Sequence, residues 1–109
     1  MPKSFQEAIA RVSDDVARSL AHLAADDAPE AELHNLRAYL VNFLELVETN
    51  LRLEAATDDL YNAAATLVRA KSPGGRRDSH HLVLEAFVRL KAQLQGAAPS
   101  EKARHMGFG

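Results

Sequence analysis

The chain contains no cysteine and no tryptophan. Without Cys, disulfides and thiolate metal ligands are excluded. No apolar run approaches the roughly 18 residues that a membrane span needs. Lys3 is not followed by the apolar segment of an export signal, because Glu7 and Arg11 interrupt it early. The expected compartment is therefore the cytoplasm. Glycine is scarce and unevenly placed, with all five at or beyond position 74. Residues 30–71 hold neither Gly nor Pro, so the usual turn punctuation is missing from more than a third of the chain. No Gly-x-Ser-x-Gly, phosphate loop or dinucleotide fingerprint is present. No cofactor and no catalytic group are expected, and there is no strand signal and no internal repeat.

What remains is helical. The 109 residues suit one domain, and the wealth of Ala, Leu and Arg suits helices and a GC-rich bacterial genome. Ser4 with Glu7 forms a capping box ahead of Phe5, Ile9, Val12, Val16, Leu20 and Leu23, an apolar series at helical spacing. It predicts a first helix from Phe5 to Ala24. Asp27 with Glu30 repeats the capping logic, and Pro29 suits a first helical turn.

The stretch 29–71 carries most of the large apolar side chains. At 100° per residue, Leu33, Leu36, Leu40, Phe43, Leu44, Val47 and Leu51 fall in one sector, and Leu53, Ala56, Leu60, Ala63, Ala64 and Leu67 in another. The sectors lie about 160° apart by the same rule. Either the chain reverses between Thr49 and Thr57, or one long rod buries opposite faces against different partners. Thr57 followed by Asp58 and Asp59 reads as an N-cap with acids in the first turn, and favours the reversal.

Lys71-Ser72-Pro73-Gly74-Gly75-Arg76-Arg77 reads as a loop, with Asp78 or Ser79 capping a last helix through Val83, Leu84, Phe87, Leu90, Lys91 and Leu94 to Gly96. The expected fold is all-α, an antiparallel bundle of three or four helices over residues 1–96, with a long central helical stretch. Residues 97–109, with Pro99 and no period, are expected to be a flexible tail.

Charge divides the chain. Residues 1–60 carry 5 Lys/Arg and 12 Asp/Glu, net −7, and residues 61–109 carry 8 and 3, net +5, which together give −2. An acidic front and a basic back can meet within one bundle or between subunits.

Few residues invite chemistry. His34-Asn35-Leu36-Arg37-Ala38 lies with His34 on the polar side of its helix. This text resembles the motif of bacterial histidine phosphotransfer domains, a His with Leu two on, Lys or Arg three on and a small residue four on. Ala38 stands where that family has Gly. The resemblance implies a four-helix bundle, phosphorylation of His34 by a partner's aspartyl phosphate, and Arg37 as the supporting cation. Arg69, Lys71, Arg76 and Arg77 form the densest basic cluster, an alternative contact for an anion or nucleic acid beside Gly74 and Gly75. His80 and His81 point about 100° apart on a helix, and Glu85 adds only one ligand at usable spacing, so no metal site is expected.

The reading that accounts for most residues is a non-enzymatic regulatory, adaptor or assembly protein acting through helical surfaces. Leu53, Leu60, Ala64 and Leu67 are the expected self-association face of a homo-oligomer, and Phe108 in the tail is a further contact point.

Overall fold

Each apolar stripe folds as one α-helix in the computed structural model, which describes residues 5–25 and 29–105. Helices α1 (Phe5–Ala25), α2 (Pro29–Leu46), α3 (Leu51–Arg69) and α4 (Pro73–Gln95) form the bundle, and a short α5 (Glu101–His105) follows. Short connections reverse the chain after each long helix, so neighbours run antiparallel. α1 packs on α2 and α3 on α4 as two hairpins, and the α2–α3 and α1–α4 seams close the bundle. The fold is all-α, and among the described residues there is no strand and no helix long and apolar enough to cross a membrane.

The stripe of α1 is buried from Phe5 to Leu23 at every expected position. Ser19, also buried, donates its hydroxyl to the Glu32 carbonyl at 3.3 Å and ties α1 to α2. His22 approaches the Glu32 carboxylate at 3.6 Å beside it.

The chain does reverse within 29–71, but at residues 47–50, at and just before the start of the expected window. Asn50, not Thr57, is the N-cap. Its backbone is extended and its side chain accepts the Leu53 N–H at 2.9 Å. Thr57 lies two turns inside α3, buried, with its hydroxyl donated to the Glu54 carbonyl at 2.8 Å. A Thr that bonds back into its own helix is neutral to a helix interior, which is why the Thr-Asp-Asp text misleads. Leu51, grouped by angle with the α2 stripe, starts α3 instead and is 84% exposed.

α4 also begins earlier than its sequence suggests. Ser72 is the N-cap, Pro73 occupies the first turn, and Gly74 and Gly75 are helical rather than loop. Ser72 Oγ accepts the Gly75 N–H at 3.0 Å, and a Cβ at residue 75 would lie 2.9 Å from that oxygen. A side chain there would displace the cap. Asp78 and Ser79 therefore sit within the helix. Val83, Ala86, Leu90 and Leu94 face the core, whereas Leu84, expected on the buried stripe, is 47% exposed.

The stretch 97–105, read as tail, folds back on the end of α2. Glu48 N–H donates to Ala98 O at 2.7 Å, Ser100 N–H donates to Leu46 O at 2.8 Å, and Val47 and Pro99 form an isolated antiparallel bridge. The Ser100 hydroxyl donates to Glu45 O and accepts the Ala103 N–H at 3.1 Å, which caps α5. Lys102 pairs with Glu45 at 3.1 Å, and Ala103 is fully buried. Phe108 lies outside the described residues.

Candidate interaction groove

Two cavities lie along the α2–α3 seam. Both helices turn their largest apolar side chains to the common core, so the seam is left to the flanks of each stripe. From α2 come Leu33, Leu40, Val41 and Leu44, and from α3 Tyr61, Ala65 and Val68. Small Ala65 opposite Leu33 leaves a cavity of about 230 Å³, lined also by Glu30, His34 and Arg69. A second cavity of about 340 Å³ lies toward the other end, lined by Arg37, Leu40, Val41, Leu44, Thr57 and Asp58. Tyr61 lines both and stands between them, half-buried, so the two form one groove.

Each cavity sets an acid and a base on opposite walls: Glu30 on α2 against Arg69 on α3, then Arg37 on α2 against Asp58 on α3. Among the described residues none of these four charges makes a salt bridge. Glu30 in the first turn of α2 and Arg69 in the last turn of α3 complement their helix dipoles.

The residues singled out from sequence are dispersed. His34 and Arg37 are both exposed, one turn apart on α2 but lining different cavities, and Arg69 lines the cavity of His34. Leu53, Leu60, Ala64 and Leu67 are at most 1% exposed and lie in the core of their own chain. They cannot meet a second copy unless the bundle opens. They form one apolar face of α3, and the bundle supplies its partner from within.

The basic cluster divides as well. Arg69 lines the groove, while Lys71 and Arg77 are exposed. Arg76 turns inward and donates to Leu67 O and Ala70 O at 3.5 Å, and to Leu23 O at 3.4 Å. One guanidinium thus serves carbonyls at the C-terminal ends of both α1 and α3, where such groups lack partners. Arg76→Ala is expected to cost about 1–2 kcal/mol in urea unfolding, with Arg77→Ala near neutral. Equal costs for the two would remove this role.

His81 pairs with Glu85 at 3.0 Å on the surface of α4, and among the described residues no three His, Asp or Glu cluster as metal ligands. The sequence reading missed the groove, because Val41, Tyr61 and Val68 fall outside both main stripes. Comparison with known protein families, with curated proteins and with solved structures finds no match to this chain. The motif-length resemblance around His34 is therefore not accompanied by one over the whole domain.

Proposed function

We propose that this chain is a non-enzymatic interaction module, regulatory, adaptor or assembly in role, that binds protein partners through its helical surfaces. The α2–α3 groove carries this reading. It presents a floor of Leu33, Leu40, Leu44, Ala65 and Val68 around Tyr61, with charged groups at its rim. Such a groove accepts the apolar face of a helix, with rim charges setting register. A photo-crosslinking residue at Val41, 45% exposed, should yield discrete protein adducts at native expression level. The same residue at exposed Gln93 on α4 should not. Identical adduct patterns at both positions would discard the groove as the docking surface.

A second reading rests on His34. It is exposed on a four-helix bundle, with Arg69 in the same cavity to offset an incoming phosphoryl charge. The phosphoryl group would pass from a partner's aspartyl phosphate to an imidazole nitrogen, releasing the carboxylate. Incubation with phosphorylated response regulators should then give an acid-labile label that His34→Gln abolishes. A label that persists in His34→Gln, or no label, ends this reading.

A further inference from the structure

We infer that the groove takes a second copy of this chain, seating the outer ridge of that copy's α4. This rests on the interaction-module reading and names its partner.

The ridge is defined by exposure and helical spacing. Leu84 and Val88 are one turn apart and 47% and 64% exposed. Arg77 and His81 precede them on the same face and Lys91 follows, all exposed. The ridge therefore has two apolar side chains in its middle and cations at both ends. Lys91 is held over the Phe87 ring, 5.1 Å from its centroid. Among the described residues Leu84 and Val88 stay on the outside of the bundle, because α4 turns Val83, Ala86, Leu90 and Leu94 to the core.

The groove is complementary in shape order and in charge. Its apolar floor has Glu30 in one cavity and Asp58 in the other. At 1.5 Å per residue, Glu30 to the level of Leu40 is about 15 Å and Arg77 to Lys91 about 21 Å, a difference that long cationic side chains span. The groove's own cations, Arg37 and Arg69, have exposed Asp78 to meet on α4, and Glu85 beside its His81 partner. In sum, residues 29–69 carry 3 Lys/Arg and 7 Asp/Glu, net −4, and residues 73–95 carry 4 and 2, net +2. Opposite surface charges steer and align association.

Ridge and groove are different surfaces of one molecule, so the contact is heterologous. Each docked copy leaves one groove and one ridge unfilled. Such contacts continue into longer chains unless the rotation closes a ring.

The experiment is sedimentation equilibrium of the full chain and of two surface variants, Val41→Glu in the groove and Val88→Glu in the ridge. The wild type should show mass rising beyond dimer with concentration, and association weakening at least about tenfold from 20 to 500 mM salt. Each variant alone should be monomeric, with unchanged helicity. Mixed together they should form a one-to-one dimer, because the intact ridge of Val41→Glu fits the intact groove of Val88→Glu. A monomeric wild type overturns the inference, as does a mixture that stays monomeric or an association indifferent to Val41→Glu. If self-association fails while Val41 still crosslinks a foreign protein, the interaction-module reading stands and only the second copy is lost.

Discussion

Leu60→Ala should lower the unfolding free energy by about 3–4 kcal/mol, the cost of a fully enclosed cavity in a core that cannot close around it. Leu60 has no exposed surface and lies at the middle of α3, in one cluster with Leu36, Phe43, Val83 and Leu90. A domain of this size has about 5–15 kcal/mol in total, so the variant sits near the edge of foldability. Its melting point should fall by roughly 15–25 °C. The concentration dependence is the decisive measurement. A core residue lowers the midpoint equally at every protein concentration. A residue at a subunit contact would lower it through mass action, with a midpoint that moves with concentration. Leu51→Ala, at 84% exposure, is the internal control and should change stability by less than about 0.5 kcal/mol. A concentration-dependent loss in Leu60→Ala, with the monomer's own midpoint intact, would return Leu60 to an interface.

Ala103→Glu should detach α5 from α2 without unfolding the bundle. Ala103 is fully buried against the end of α2, where a carboxylate would have no partner. Rather than bury that charge, the segment should release. What holds it is local: two backbone hydrogen bonds, the Ser100 hydroxyl and the exposed Lys102–Glu45 pair. The exposed ion pair adds little of its own. A loss of about 2 kcal/mol of local stability corresponds to roughly 30-fold faster amide exchange at the donors concerned. The amides of Glu48 and Ser100 should show it, while those of Leu60 and Leu90 keep their protection. Uniform acceleration across the chain would mean that 97–105 is part of the global cooperative unit.

What the sequence made legible follows physical range. α1 could be read to within a residue, since its stripe and its polar face are both local and unbroken. The reversal within 29–71 was legible as a 160° change of apolar face, which needs no Gly or Pro to announce it. Its place was not, because Asn50 and Thr57 are both capping residues and only the backbone shows which of them is extended. Ser72-Pro73 carried a cap signal that the following Gly-Gly obscured. The fold-back of 97–105 was illegible in principle from local text: its partners, Glu45, Leu46 and Glu48, lie some fifty residues away and are mostly backbone atoms. The groove was illegible for a related reason. Val41, Tyr61, Ala65 and Val68 belong to neither stripe, and only the antiparallel α2–α3 pairing brings Val41 and Asp58 to one cavity.

Arg76 has a mechanical consequence. It fastens α4 to the ends of α1 and α3 at one pole, and the 97–105 segment fastens α4 to the end of α2 at the other. The bundle is thus hooped at its two ends, while among the described residues the α2–α3 seam between them has no hydrogen bond of this kind across it. Separation of the hairpins is resisted at the poles, and compliance is left at mid-height beside Tyr61. On the docking inferred above, the ties at the poles hold the register of the four helices fixed while a ridge enters at mid-height.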